Sequence, residues 1–320
     1  MMAPPIAQRH LRSALLVTLV AVAGYMLLLG GLDPTAAFGA LAAVPPGIWA
    51  AILALSLFNY VLRWLRWHWL LRRGGHAVPA GRSLIMYVAG FAFTATPAKA
   101  GEAVRAAYLR GEGVPVARTL SLLYLERWLD GVAVALLTIG AIGLWTGSLV
   151  QAVVLVAVFM GLVMVMASRR VMVALRRYCE ARSGRITDWL AELLTGIETL
   201  LRPRLLAGGI ALGVVAWGAE GVGLALIVWA LATHVPLELA IGIYAAAMLG
   251  GAITLLPGGL GGAEAVMVTG LVQAGAGAGV ASAATVICRV ATLWFAVLLG
   301  AFAVAALALR PPRVESERLS

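Results

Sequence analysis

The sequence predicts an all-α polytopic membrane protein, with about six full transmembrane helices and two re-entrant helical hairpins in an inverted-repeat arrangement. Three observations lead there: a composition far more apolar than soluble chains use, apolar runs of membrane-spanning length, and basic residues confined to alternate connections.

Of 320 residues, 62% are apolar or aromatic, another 37 are glycine and only 12% carry charge, giving a mean hydropathy of +0.97. That excludes a water-soluble globule. The formal charge of +10 does not point to nucleic acid, because its arginines are scattered through short gaps instead of forming one basic domain. Cys179 and Cys288 are too few for a disulfide framework or a four-ligand zinc site. His68, His76 and His234 stand near span ends without a second ligand at metal spacing, so neither metal nor cofactor is expected.

A hydrocarbon core about 30 Å thick takes roughly 20 apolar helical residues to cross. Runs at 13–32, 48–67, 119–145, 149–168, 205–232 and 281–309 meet that length. The first lacks an A-x-A cleavage pattern and reads as a retained span. Two further apolar stretches are interrupted: 83–96 breaks at Thr96-Pro97 and resumes over 98–109, and 239–256 breaks at Pro257-Gly258-Gly259 and resumes over 263–274.

Short loops rich in arginine stay cytoplasmic. Arg9 and Arg12, Arg72 with Arg73 and Arg82, Arg110 with Arg118, the arginines of 169–204, and Arg310 with Arg313 mark that side, whereas 33–47, 146–148, 233–238 and 275–280 hold no Lys or Arg. Both termini are therefore expected in the cytoplasm of a cell whose inner membrane holds the protein. The first broken stretch then starts and ends on the cytoplasmic side and the second on the opposite side, so the hairpins enter from opposite faces. Non-helical backbone at membrane depth must line protein or a watery cavity, since unsatisfied amides cost several kcal/mol in lipid.

The expected organisation is one transmembrane domain over 1–320, with half-repeats at about 48–145 and 205–309 and a cytoplasmic amphipathic connector at 169–204. Within the connector, Ile186, Leu190, Leu193, Leu194, Ile197, Leu200 and Leu201 recur at helical spacing, as in a surface helix at an interface. The repeat shows in the charges: Glu102 precedes Arg127 by 25 residues, and Glu264 precedes Arg289 by the same interval. Inverted repeats with discontinuous helices place a binding site at the repeat interface.

A charge at the centre of a membrane helix costs roughly 2.5–3.5 kcal/mol on insertion scales. Lys99, Glu102 and Arg105 fall along one stripe of a helix, as do Arg127 and Asp130, and these with Glu126, Glu220, Glu264 and Arg289 are the candidate buried charges. Glu102 and Glu264 are expected to pair with Arg127 and Arg289, around a site able to hold phosphate. Glu102, Glu220 and Glu264 are candidates for coupling to a proton gradient. Arg63 and Arg66, beside Trp64, Trp67 and Trp69, read as snorkelling anchors at the membrane interface. No nucleophile elbow, P-loop or zincin motif is present, so no catalytic residue and no enzyme activity is expected.

The run Thr96-Pro97-Ala98-Lys99-Ala100-Gly101-Glu102-Ala103-Val104-Arg105, then Glu126-Arg127-Trp128-Leu129-Asp130, then Leu256-Pro257-Gly258-Gly259-Leu260-Gly261-Gly262-Ala263-Glu264 followed by Arg289, resembles the lysylphosphatidylglycerol synthase transmembrane (flippase-like) family. The resemblance spans about residues 10–310 and implies a stand-alone form, ending eight residues after Pro312 without the synthase domain. It places Lys99, Glu102, Arg105, Glu126, Arg127, Asp130, Pro257, Gly258, Gly259, Glu264 and Arg289 on motif positions. It implies movement of a lipid between inner-membrane leaflets: a phospholipid, a hopanoid, or another polyprenyl- or glycolipid-type amphiphile, with a phosphate head group favoured and a lipid-biosynthesis enzyme as a conceivable partner. The alternative is an integral-membrane glycosyl- or lipid-modifying transferase, or a scaffold for one. The connector, however, has no D-x-D pair to hold a nucleotide-sugar metal.

Overall fold

The computed structural model describes residues 42–96, 101–146, 168–182 and 184–309, with isolated positions at 39 and between 150 and 161. The spans expected at 13–32 and 149–168 lie outside the described residues wholly or nearly so, as does Lys99. Every regular element among the described residues is helical.

Helix α1, Pro46–Arg73, opens with proline in its first turn, where an amide proton would have no helical partner, and ends with Arg72 and Arg73 facing the negative end of the helix dipole. It runs six residues beyond the expected span, about 42 Å in all. Its buried stripe carries Ser56, Asn59, Arg63, Arg66 and Leu70, while Leu57, Phe58, Val61 and Leu65 are exposed. Polar residues turned inward and apolar residues turned outward are what an apolar solvent selects.

Helix α2, Ala80–Ala89, tightens into a 3₁₀ turn at Gly90–Phe93, and the chain resumes at Gly101 to enter the short α3, Val104–Arg110. Arg82 at the start of α2 pairs with Glu112 just past α3 at 2.7 Å, so the two legs of this broken segment return to one end. Helix α4, Val116–Thr146, follows Pro115. Helices α5, Arg169–Glu180, and α6, Arg185–Leu200, form a hairpin held by Glu198, which pairs with Arg169 at 3.2 Å and Arg176 at 3.3 Å. The apolar stripe expected at 186–201 packs through Ile197 and Leu200, with α6 lying on α4, where Ser121 Oγ donates to the Leu193 carbonyl at 2.7 Å; Ile186 itself is exposed.

Helix α7, Pro203–Ala230, lies along α1 and also against α4. Helix α8, Leu237–Ile253, breaks at residues 254–256, passes through a 3₁₀ turn at Pro257–Gly259, and continues as α9, Gly262–Gln273. Gly258, Gly259 and Gly261 all have positive φ, between 64° and 85°, which L side chains adopt only with strain. Helix α10, Ala278–Arg289, a π turn at Val290–Trp294 and helix α11, Phe295–Ala308, make one continuous rod. Three helices among the described residues are long and apolar enough to cross a membrane: Pro46–Arg73, Pro203–Ala230 and Ala278–Ala308. Helix α2 packs on α11 while α8 packs on α4, so each broken helix lies against the long helix that follows the other.

Candidate functional site

The charges collect where α1, α3 and α4 meet. Asp130 of α4 accepts from Nη2 of Arg66, from Nη2 of Arg63 at 3.3 Å, and from the indole N–H of Trp217 at 3.1 Å. One turn earlier on α4, Glu126 accepts from Nη1 of Arg105 at 2.9 Å and from the Tyr87 hydroxyl at 2.7 Å. Arg105 also donates to Glu102 at 3.0 Å, and Thr94 donates to the other oxygen of Glu102 at 3.2 Å. The guanidinium of Arg105 lies 4.1 Å from the Tyr87 ring centroid, adding a cation–π contact. Nothing larger than hydrogen fits at Gly90, where an added Cβ would collide with Arg105. The local sequence thus admits this guanidinium by omitting a side chain.

Arg127 completes the group differently. Its Nη2 is 3.1 Å from Glu126, 3.4 Å from Asp130 and 3.5 Å from Glu102, yet neither Nη2 nor Nε makes a hydrogen bond of good geometry. Its side chain is 31% exposed, against 0% for Arg66 and Arg105 and 7% for Arg63. Four arginines therefore face three carboxylates, and the most open of the four is the one whose donors are least well used.

The second cluster is smaller. Arg289 donates through Nε to Glu264 at 2.7 Å and through Nη2 to the Gly258 carbonyl at 2.6 Å. Glu264 accepts from the Gly261 amide at 2.7 Å, closing the amino end of α9. The carboxylate supplies the negative charge that this helix end attracts, so the amino end of α9 is met by its own side chain. Both 25-residue Glu-to-Arg intervals therefore close into ion pairs, at 3.5 Å for Glu102 with Arg127 and 2.7 Å for Glu264 with Arg289.

Between the clusters lies a cavity of about 320 Å³, lined by Glu102, Arg127 and Asp130 on one side and Gly258, Gly259 and Arg289 on the other. Glu220 also lines it and accepts from the Ser56 hydroxyl at 3.0 Å. Of the remaining candidates, Arg105, Glu264 and Pro257 do not line the cavity: Arg105 holds Glu102 and Glu126 from behind, and Glu264 holds Arg289.

Sequence reasoning mislaid Arg63 and Arg66. They are not interface anchors: α1 continues to Arg73, so both sit inside the rod, buried and paired with Asp130. The signal was available, because Ser56, Asn59, Arg63 and Arg66 recur at helical spacing on one face of an apolar span. Including them turns a surplus of negative side chains into a surplus of positive ones within the first cluster.

Long apolar rods, an outward apolar face, and charges folded inward around one cavity define a polytopic membrane protein. The family described as Lysylphosphatidylglycerol synthase TM region matches residues 13–300, and the chain belongs to that family. It is also similar to a UPF0104 membrane protein from Methanothermobacter thermautotrophicus, 30% identical over 130 residues. That stretch is 40% of this chain and 38% of the relative, so the similarity spans well under half of the relative's length.

Proposed function

We propose that this protein moves an amphipathic lipid with a phosphate-bearing head group between the leaflets of a bacterial inner membrane, without changing it chemically. The observation that carries the reading is Arg127: a partly open guanidinium, poorly satisfied by three carboxylates, facing a cavity beside an arginine-rich cluster. A phosphate would supply the acceptor geometry these donors lack. Arg289 and the Gly258-Gly259 backbone form the facing wall.

The apolar part of the ligand also has a path. Leu255 and Leu256 line the cavity, and they are 62% and 49% exposed on the outside of the molecule, where acyl or isoprenoid chains would lie. In this reading 48–145 and 205–309 are half-repeats of inverted topology with both termini cytoplasmic, and the broken segments α2–α3 and α8–α9 are hairpins entering from opposite faces. The reciprocal contacts of α2 with α11 and α8 with α4 support that symmetry, and a cavity between two such halves can open to either side in turn.

The test is lipid movement in proteoliposomes holding the purified full-length chain, read with acyl-labelled phospholipids and membrane-impermeant quenching. Wild type should move a phospholipid, and Arg127→Ala and Arg289→Ala should each slow it at least about tenfold, the loss of one charge-assisted hydrogen bond. Equal rates in wild type and both variants would sink the reading.

A further inference from the structure

The cavity has a second polar end that the phosphate reading leaves unused. Glu220 of α7 is 3% exposed and lines the cavity, but no Arg, Lys or His lies within ion-pair distance of it among the described residues. Its hydrogen bond comes from Ser56 at 3.0 Å. Asn59, 1% exposed and one turn from Ser56 on α1, lines the same cavity; its amide N–H donates to the Ala216 carbonyl at 2.8 Å, and its Oδ1 has no partner. Two buried acceptors thus line one cavity: Asn59 Oδ1 has no donor, and the donor to Glu220 is the neutral Ser56 hydroxyl, not a cation. Leaving such groups unmatched costs about 1–3 kcal/mol each, more for a charged one.

We infer that Glu220 and Asn59 form a receptor for a primary ammonium group, so that the lipid carried is zwitterionic: phosphate on Arg127, ammonium on Glu220 and Asn59. This rests on the phosphate reading above and narrows it. The spacing suits the chemistry. Asn59 lies one turn before Arg63 on α1, and Trp217, which bridges to Asp130, lies one turn before Glu220 on α7. The acceptors therefore stand about one helical pitch, roughly 5.4 Å, along the rods from the Arg63–Asp130 pair, beside which Arg127 Nη2 lies 3.4 Å from Asp130, a scale comparable to the short two-carbon link between phosphate and amine in an ethanolamine head group. The three N–H donors of an ammonium match an acceptor-only pair, whereas a quaternary ammonium has none and a glycerol head group brings no charge.

The experiment is equilibrium binding of short-chain phosphatidylethanolamine, phosphatidylcholine and phosphatidylglycerol to the detergent-purified full chain, followed by intrinsic tryptophan fluorescence at fixed sodium and then with sodium replaced by potassium. Wild type should bind the ethanolamine lipid at least tenfold more tightly than the other two. Glu220→Gln and Asn59→Leu should each remove that preference while leaving phosphatidylglycerol affinity within about twofold. Comparison of the three lipids in wild type needs no variant to fold. Equal affinity for all three, or an equal loss for all three in Glu220→Gln, overturns the inference; so does a preference that follows sodium instead of the head group, which would make the site one for an alkali cation. Selective ethanolamine binding without movement in proteoliposomes would leave this subsite standing and remove transport. Movement that depends on Arg127 with no head-group preference would do the reverse.

Discussion

Arg66 of α1 and Asp130 of α4 are joined through Nη2 and Oδ1 inside the protein, with Arg66 entirely buried and Asp130 also holding Arg63 and the Trp217 indole. One carboxylate therefore compensates Arg66, which is sealed from the cavity, and shares Arg63 with Glu126, which lies 3.7 Å from it. Asp130→Ala would strand Arg66, leaving it the Gly209 carbonyl at 3.4 Å, and breaking a buried pair in this way typically costs about 3–5 kcal/mol. Thermal unfolding in detergent should show a markedly lower Tm for Asp130→Ala, with most of it recovered when Arg66→Met is added. A double variant no more stable than the single one would mean that Asp130 does not act through Arg66.

Gly90 makes a related prediction from packing alone. Any Cβ at this position meets Arg105, whose Cγ would lie at 3.2 Å and whose Nε still closer, and Arg105 cannot swing away without releasing Glu102 and Glu126. Gly90→Ala should therefore destabilise by about 1–3 kcal/mol, the range for overpacking, although alanine is the better helix former. A Tm at or above wild type would show that Arg105 is free to move.

Much of this was legible in the sequence, and the parts that were not share a cause. Composition and run length gave the rods at Pro46–Arg73, Val116–Thr146, Pro203–Ala230 and Ala278–Ala308 to within a few residues, except that α1 continues six residues further. That single misjudged end moved Arg63 and Arg66 from the interior to the interface, because positive charge near a span terminus ordinarily snorkels. The break after α8 announced itself through Pro257 with its neighbouring glycines, whereas the break expected at Thr96-Pro97 runs into residues outside those described and α2 gives way to a 3₁₀ turn already at Gly90. The match of Glu102 with Arg127 and of Glu264 with Arg289 was visible as an interval. What no interval shows is which partner each charge prefers: Glu126 turns to Arg105 and Tyr87, and Glu264 closes its own helix end. The first choice is made by the approach of α2 and α3 to α4, the second by the turn that opens α9.

Gly258 combines two constraints. Its φ is 64°, and its carbonyl receives Nη2 of Arg289 at 2.6 Å, so the turn that needs glycine also aims the acceptor that fixes the arginine. Gly258→Ala adds a strain of about 1–2 kcal/mol, with a Cβ 3.3 Å from Leu293. The expected outcome is a small fall in Tm and a larger fall in lipid movement, because relaxation of the turn withdraws the carbonyl and lets Arg289 collapse onto Glu264. Equal wild-type rates with a lowered Tm would separate the turn from transport.

Tyr60 supplies the last prediction. Its hydroxyl, on α1, donates to the Thr292 carbonyl within the π turn that follows Arg289. A five-residue turn inserts one extra residue into the helix, and such bulges persist where a partner takes up the carbonyl that loses its normal place in the ladder. Tyr60 lines the cavity and provides that partner, so it ties the helix of the first cluster to the turn that sets how Arg289 faces relative to α11. Tyr60→Phe keeps the ring and its contact with Phe91, whose centroid lies 5.1 Å away, and removes only the donor. The loss to stability should be near 1 kcal/mol, the net worth of a single hydrogen bond. If the π turn then relaxes to regular helix, Arg289 changes its facing by the angle of one residue, about 100°, and lipid movement should fall further than Tm would suggest. A fall in Tm with an unchanged rate of movement would assign the bond to folding alone.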